Sequence, residues 1–251
     1  MILSDKKNNC SGTPGSSLVT TGGGLKMKHL LIALLFLSKP NERTNYDFPN
    51  LVHAKAPHGL KQSFNSSVTI HSLTERGTGL GSGNLISFDG ELYIFTAAHV
   101  VNGSLFLMVS EKGGESFEAE IVAVDPNNDF AILKPQRQPK STIPAEYKFK
   151  FDNLIGKEVY HCGHPSVVSY NVSRGMITGY DAGSYLIDAI ALPGSSGGVV
   201  FGKKGDIIGV VVSVGIVNAL GPPELVEEIV RVAPIDYLYV KALLGEQDGV
   251  E

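Results

Sequence analysis

Apolar and polar residues alternate along short segments from about residue 64 onward, which is the pattern of half-buried strands. Val68 and Ile70 alternate with polar neighbours, and the apolar runs 85–88 and 92–95 flank Asp89-Gly90, a dipeptide typical of a tight hairpin turn. Further strand-like runs, separated by turn residues, lie at 104–110, 117–124, 157–162, 170–178, 184–190, 198–202, 206–214 and 226–232. This regular spacing predicts an all-β sandwich or barrel.

A single helix is predicted, near the end of the chain at 235–244. Pro234 lies near its start and Asp236 lies in its first turn, where an acidic side chain is favourable. Ile235, Leu238 and Val240 give an approximate apolar stripe at helical spacing. We therefore expect a chain of strands that ends in one helix.

The first 63 residues do not show this pattern. Residues 1–25 are polar and rich in Gly, Ser and Thr, which predicts disorder, and residues 39–60 contain three prolines, which indicates a linker. Between them, residues 26–38 hold two lysines and then eight apolar residues, too few for a bilayer span of about 20 residues. This segment has the shape of a secretory signal or anchor if translation starts at Met27, and otherwise of a buried or amphipathic segment.

Export to a periplasm or to the outside is favoured over a cytoplasmic location, and any membrane contact is expected only through an uncleaved N-terminal segment. Composition is compatible with either compartment.

Cys10 and Cys162 are the two cysteines, too few for a disulfide framework, and a bridge between them is not expected. The 251 residues are 43% hydrophobic and 18% charged, which suits a packed core. The net charge of −4 gives no basic excess for binding nucleic acid.

Three segments carry candidate catalytic chemistry. His99 follows an apolar run and two small residues, Asp129 lies between a polar turn and an apolar run, and a Gly/Ser-rich turn contains Ser195 and Ser196. Each segment alone has an ordinary structural explanation. Together, the chain order His, Asp, Ser matches one known catalytic triad arrangement and not the subtilisin-like or α/β-hydrolase orders. Either serine can be the nucleophile on chemical grounds.

The segments FTAAHV (95–100), DFAIL (129–133) and PGSSGG (193–198) resemble the chymotrypsin-like (trypsin-like) serine peptidase family, and most closely its disulfide-poor HtrA/Deg-type members. The resemblance covers residues 64–245 and includes the segments 81–83, 188–190 and 209–213. It implies a protease domain at 64–251, built of two packed six-stranded antiparallel β-barrels at approximately 64–140 and 150–233, followed by the helix. The expected activity is a serine endopeptidase acting on polypeptides, and the oligomeric state is left open.

The resemblance also implies the role of each catalytic residue. The family pattern Gly-x-Ser-Gly-Gly selects Ser196 as the nucleophile, with His99 as its general base and Asp129 as the residue that orients the imidazole. The backbone N–H groups of Gly194 and Ser196 are expected to form the oxyanion hole.

Substrate specificity is expected to depend on two further segments. The resemblance implies that Ile190 forms the floor of the specificity pocket and that the strand Ser213-Val214-Gly215 forms its wall. Because Ile190 carries no charge, we expect cleavage after small or medium apolar residues. Ile190 can also be an ordinary core residue, and then the pocket is undefined.

Two other features bear on mechanism. Digestive relatives have an acid at position 195 that receives a new N-terminal ammonium, and Ser195 cannot form that ion pair, so we expect activity without N-terminal cleavage. The segment 161–164 holds two histidines and Cys162, but neighbouring strand residues point to opposite faces and no fourth ligand is evident. We therefore expect no metal and no cofactor.

Two rival interpretations of the same residues exist. The barrel can bind extended peptides without cutting them, although an intact set of His99, Asp129 and Ser196 argues against this. The chain can also be a viral or phage protease that processes its own precursor, which would suit the unusual N-terminal segment.

Overall fold

In a computed structural model of the protein, the described residues are 52–148, 153–165, 168–217 and 224–245. The predicted disorder at 1–25 and the apolar segment at 26–38 lie outside these residues. Within them the chain is mainly β, with short helices at three points.

The first barrel is closed by six strands in the order β1-β4-β5-β6-β3-β2, with β2 pairing back onto β1. Five of these pairings join antiparallel neighbours along the sheet and the sixth closes it, while a short seventh strand pairs in parallel with β2. The strands are β1 (Ser67–Thr74), β2 (Gly77–Phe88), β3 (Glu91–Thr96), β4 (Ser104–Ser110), β5 (Ser116–Asp125), β6 (Phe130–Pro135) and β7 (Ala145–Glu146).

The second barrel is closed in the order β10-β13-β12-β11-β8-β9. Its strands are β8 (Glu158–Gly163), β9 (Asn171–Asp181), β10 (Ser184–Ile187), β11 (Val199–Gly202), β12 (Ile207–Val217) and β13 (Glu224–Pro234). The prediction of two six-stranded antiparallel barrels is confirmed. The run predicted at 184–190 is a strand only as far as Ile187.

The predicted hairpin between β2 and β3 is confirmed. Phe88 pairs with Glu91, and the two residues between them have positive φ, 47° at Asp89 and 83° at Gly90. Positive φ at both central positions is the geometry of the two-residue turn that matches the twist of the flanking strands.

The helices are α1 (His58–Ser66), α2 (Ala98–Val101) and α3 (Tyr237–Leu243). The predicted C-terminal helix is confirmed, and Asp236 caps it by accepting a 2.7 Å hydrogen bond from Tyr239 N. Among the helices of the described residues, none has both the length and the apolar character needed to cross a bilayer.

Helix α1 corrects the prediction of a linker that extends to residue 60. The helix contacts both barrels: Gly59 N donates to Lys203 O in the second barrel, and Asn84 Nδ2 of β2 donates to Ser63 O. Its buried face consists of Gly59, Gln62, Ser63, Phe64 and Ser66, of which only Phe64 is a large apolar residue. A hydrophobic periodicity was therefore absent from the sequence.

Three apolar clusters account for the packing. One fills the first barrel around Val68, Ile70 and Leu85, and a second fills the other barrel around Ile177 and Val230. The third lies between the barrels and beneath α3, and it contains Phe88, Phe95, Phe130, Phe201, Ile207, Ala233 and Val240. Because these interfacial side chains are buried and close-packed, the two barrels are held in a fixed relation.

Candidate active site

His99 and Asp129 form a two-point contact in the first barrel. His99 lies in α2, directly after β3, and Asp129 lies in the turn between β5 and β6. The Asp129 Oδ2 atom lies 2.7 Å from His99 Nδ1, and Asp129 Oδ1 accepts a 2.8 Å hydrogen bond from the backbone N of His99. One carboxylate therefore fixes both the backbone and the ring of the histidine, and it leaves Nε2 as the ring nitrogen facing away.

The backbone of Asp129 has a left-handed conformation, with φ at 52°. Asp tolerates this region better than most residues, and such conformations concentrate at functional sites. The preceding turn is braced, because Asp125 accepts hydrogen bonds from Asn127 N and, at 2.7 Å, from the Tyr239 hydroxyl of α3. Desolvation of Asp125 acts to raise its pKa, but the hydrogen bonds from Tyr239 and Asn128 outweigh it and lower the pKa.

Ser196 lies in the loop between β10 and β11, and we call residues Leu192–Gly198 the serine loop. The loop begins with a β-turn in which Ser195 N donates to Leu192 O at 2.8 Å. Pro193 sets φ near −65° at the second turn position, and Gly194 has φ of 103° at the third, which is the type II geometry.

Among the described residues, the hydrogen bonds of the serine loop leave two of its backbone N–H groups without a partner. Ser195 N donates to Leu192 O, Gly197 N to Val211 O and Gly198 N to Ser195 O. Leu192 N donates to the Ser195 hydroxyl at 3.2 Å, and proline has no N–H.

Among the hydrogen bonds of the described residues, none uses the N–H of Gly194 or of Ser196. Backbone N–H groups that lack a protein partner are open to water or to a ligand, so these two donors beside a serine are available to an acceptor group in the cleft. These are the two donors that the sequence predicted for an oxyanion hole.

His99, Gly194 and Ser196 line one open cleft of about 510 Å³. The cleft is formed by α2, the serine loop and the hairpin between β1 and β2, so residues from both barrels meet there. Within the described part of the chain, no hydrogen bond joins His99 Nε2 to Ser196 Oγ. A hydrogen bond of this kind often tightens only in the complex with substrate.

The predicted specificity residues lie in two parts of the second barrel. Ile190 is 55% exposed and lines a separate cavity of about 460 Å³, together with Ser173 and Arg174. Its backbone is held on both sides, since Ile190 N donates to Ser173 Oγ and Ile190 O lies 3.1 Å from His161 Nε2. Ile190 is therefore not an ordinary core residue.

The segment Ser213–Gly215 lies in β12, where it pairs with β13 on one side. On the other side, β12 pairs with β11 only as far as Val210 in the described residues. Val211 then bonds the serine loop through Gly197 N and Gly198 O. The unpaired edge of β12 therefore begins beside Ser196.

The two histidines of the segment 161–164 are held by protein partners. His161 Nε2 lies 3.1 Å from Ile190 O, and His164 Nε2 lies 2.5 Å from Ser67 Oγ. Burial lowers the pKa of His161 to about 4 and that of His164 to about 3, and burial raises the pKa of the Cys162 thiol to about 11. The described residues contain no group of three or more metal-ligating side chains.

Sequence reasoning assigned no role to Ser82, which contacts the serine loop from the first barrel. Its hydroxyl donates a 2.7 Å hydrogen bond to Gly194 O, and its backbone N donates a 2.8 Å bond to Ser196 O. The Gly81-Ser82-Gly83 motif was the only signal in the sequence.

Comparison with known proteins gives the family of the chain and several relatives. The family model of the trypsin-like peptidase domain matches residues 81–210, just over half of the chain. A probable periplasmic serine endoprotease, DegP-like, of Halomonas elongata is 33% identical over 147 residues, which are 55% of this chain and 30% of that protein. The serine endoprotease DegS of Haemophilus influenzae is 26% identical over 247 residues, 88% of this chain and 71% of that protein.

The fold has a counterpart among solved structures. The crystal structure of the serine endoprotease from Yersinia pestis matches with a TM-score of 0.55 and 23% identity, covering 70% of this chain and 61% of that one. This likeness supports the two-barrel fold. With the match of the family model across the segments that hold His99, Asp129 and Ser196, the chain belongs to the trypsin-like peptidase domain family, and it has HtrA/Deg-type relatives.

Proposed function

We propose that this protein is a serine endopeptidase in which Ser196, His99 and Asp129 act as the catalytic triad. The observation that carries the proposal is the 2.7 Å contact between His99 Nδ1 and Asp129 Oδ2, in the cleft that Ser196 also lines. A serine hydroxyl is a weak nucleophile at neutral pH and needs a base whose own orientation is fixed.

The proposed reaction follows from this arrangement. Ser196 Oγ attacks the substrate carbonyl carbon while His99 Nε2 accepts the hydroxyl proton. The imidazolium then gives that proton to the leaving amine, the peptide bond breaks, and water hydrolyses the acyl-enzyme by the same steps in reverse order. Asp129 keeps the proton on Nδ1, because its Oδ2 accepts from that nitrogen, and it stabilises the imidazolium.

The two free backbone donors of the serine loop suit the proposed oxyanion hole. The N–H groups of Gly194 and Ser196 flank one peptide unit, and both adjoin the nucleophile. A tetrahedral intermediate carries its negative charge on the former carbonyl oxygen, and a single lost donor costs about 3 to 4 kcal/mol of barrier in a well-studied serine protease.

An extended substrate is proposed to pair with the free edge of β12. This edge starts after Val211 and includes Ser213 and Gly215, whose backbone has no partner strand there among the described residues. Strand addition supplies main-chain hydrogen bonds irrespective of side chains and places alternate substrate side chains in pockets. The free edge of β12 therefore supports a polypeptide substrate that binds in extended form.

Cleavage after small or medium apolar residues is proposed from Ile190. Its exposed side chain adds no charge to the cavity that it lines. The test is a peptide library with varied residues before the scissile bond, cleaved by the wild type and by Ile190→Asp. We expect valine- and alanine-type sites for the wild type and a gain of lysine and arginine sites for the variant, and a wild type that cuts mainly after arginine refutes the proposal.

Activity without N-terminal trimming is proposed as well. Ser195 is 2% exposed, and its hydroxyl accepts a hydrogen bond from Leu192 N within the same turn. The residues just before β1 form α1, which is packed against the second barrel through Gly59. A protein carrying extra residues before Val68 should be fully active, and strict dependence on a trimmed N-terminus would contradict this.

The decisive experiment for the proposed function is labelling with a fluorophosphonate, which reacts with activated serines. We expect labelling of the wild type, its loss in Ser196→Ala, and its retention in the matched variant Ser195→Ala. Labelling lost only in Ser195→Ala would identify Ser195 as the nucleophile instead of Ser196. A folded wild type that does not label would favour the rival peptide-binding module.

Export is proposed on two observations. The H. elongata relative is described as periplasmic, and residues 26–38 have the lysine and apolar pattern of a secretory signal. Expression of the full chain in a Gram-negative bacterium, with fractionation and N-terminal sequencing, tests this. A full-length protein found in the cytoplasm would overturn the proposal.

A further inference from the structure

Ser82 connects three segments of the chain at one buried point. The residue lies in β2 and is fully buried. Its hydroxyl donates to Gly194 O at 2.7 Å and accepts from His164 N at 2.8 Å. Its backbone N donates to Ser196 O at 2.8 Å, and its backbone O accepts from Thr96 Oγ1 at 2.7 Å.

The hydroxyl bond restrains one particular peptide unit, the one that joins Gly194 to Ser195. The oxygen of this unit is held by Ser82 Oγ, and its N–H is held by Leu192 O at 2.8 Å. The two free donors lie on either side of it, since Gly194 N precedes the unit and Ser196 N follows it. Because a peptide unit is planar, holding it at both ends limits the directions that the two neighbouring N–H groups can take.

The backbone bond restrains a second peptide unit, two units further along the chain, which joins Ser196 to Gly197. Ser82 N donates to its oxygen, and its own N–H donates to Val211 O at 2.7 Å. Ser82 therefore supplies one of the two restraints on each of these units. The opposite restraints come from Leu192 and from β12.

We propose that Ser82 is a positioning residue that holds the serine loop so that Gly194 N–H and Ser196 N–H converge on the substrate carbonyl oxygen. The inference rests on the proposed peptidase function. Ser82 touches neither substrate nor nucleophile oxygen, and it acts through the loop backbone. Its effect should therefore appear mainly in the transition state, where the oxyanion develops.

The test compares Ser82→Ala with Ser66→Ala. Ser66 is also fully buried, and its hydroxyl likewise donates one hydrogen bond, to Gln62 O, and accepts one, from Asn84 Nδ2. The chemical change and the number of lost bonds are the same, but Ser66 bonds no atom of the serine loop. Three quantities are measured for each protein: kcat and KM on a peptide with valine before the scissile bond, and the inhibition constant of the matching peptide boronic acid.

We expect Ser82→Ala to lower kcat about 10- to 100-fold with KM changed less than about threefold, because small misplacements of catalytic donors carry losses of that order. The inhibition constant of the boronic acid, which forms a tetrahedral adduct, should rise by a similar factor. Ser66→Ala should keep wild-type kcat, KM and inhibition. Equal losses in the two variants, or unchanged kcat in Ser82→Ala, would overturn the proposal.

A second readout does not depend on activity. We expect the backbone amide NMR signals of Gly194 and Ser196 to shift and the Ser195 amide to exchange faster in Ser82→Ala, but not in Ser66→Ala. If the wild type neither labels with fluorophosphonate nor cleaves peptides, the proposed function fails, and the amide signals alone decide the positioning role. Signals identical to wild type would refute that role.

If Ser82→Ala does not fold, Thr96→Val replaces it. This change removes only the hydroxyl bond to Ser82 O and keeps the shape of the side chain. We expect kcat to fall by a smaller factor, about two- to tenfold, and the Gly194 amide signal to shift from its wild-type position. Full kcat with an unmoved signal would count against the proposal.

Discussion

Replacing Gly197 with alanine adds a methyl group where the serine loop meets the first barrel. The new Cβ would collide with Ser82 O and Thr96 Oγ1, and it would lie 3.0 Å from Ala97 N. Two of these three atoms belong to the backbone, so a rotamer change in a flexible side chain cannot relieve the collision. Either the serine loop has to move, or β2 and the end of β3 have to move.

The loss of stability in Gly197→Ala has two parts, backbone strain and overpacking, and a matched variant separates them. Gly197 has φ of 88°, and an L-residue in this conformation costs about 1 to 2 kcal/mol. Gly90 has φ of 83° in the β2–β3 turn with open space where a Cβ would be, so Gly90→Ala carries the same backbone cost without the collision. Overpacking at Gly197 should add about 1 to 3 kcal/mol of lost stability.

The collision should also reduce activity. Relieving the contacts requires a displacement of about 1 Å, and misplacement on that scale lowers rates by about 100-fold. We therefore expect kcat/KM of Gly197→Ala to fall at least 100-fold, and that of Gly90→Ala to stay within about twofold of wild type. Urea unfolding and peptide hydrolysis measure the two quantities. Wild-type kcat/KM in Gly197→Ala, with the stability of Gly90→Ala, would refute the reasoning.

Three further predictions concern other parts of the molecule. Asp129→Asn keeps the size and the tolerance for positive φ but loses the acceptor that fixes the His99 tautomer, so kcat should fall about 10⁴-fold in a protein with unchanged urea stability. Because burial lowers the pKa of His161 to about 4 from an ordinary 6.5, the unfolded chain binds more protons between these values. The contribution of neutral His161 to the free energy of unfolding is therefore complete above about pH 6.5 and falls by up to about 3 kcal/mol toward pH 4. Urea unfolding over this pH range should show that loss in the wild type and a smaller one in His161→Gln. Phe201→Ala, in the cluster between the barrels, should cost about 3 to 5 kcal/mol of unfolding free energy, and a loss below 1 kcal/mol would contradict a close-packed interface.

The β architecture was predictable because burial in this protein follows local periodicity. In β5 the buried residues Phe117 and Ala119 alternate with exposed glutamates, whereas in β1 Val68 and Ile70 are completely buried and the polar residue between them is buried as well. The turn at residues 89 and 90 was also predictable, because a positive φ strongly favours a few residue types such as glycine. Such signals need only the nearest few residues along the chain.

Helix α1 had no such signal. It has no side-chain cap at Pro57, and its buried face is mostly glycine, serine and glutamine. Its stability comes from partners far along the chain, such as Lys203 O and Asn84, and a window of nine residues contains neither. Tertiary contacts therefore decide the conformation of this segment, and propensity does not.

The residues of the candidate site also differ in how far the sequence predicts them. Few residue types can serve as nucleophile, base and orienting acid, so chain order and chemistry point to His99, Asp129 and a serine at 195 or 196, and the family resemblance selects Ser196. Ser82 performs a task that any correctly placed donor could perform, and its partner Gly194 O is 112 residues away in sequence. Its identity as a serine carries little information, and only the fold reveals the contact. Candidates for a loop-positioning role are therefore identified from hydrogen-bond partners, whereas candidates for the reacting residues are identified from the sequence.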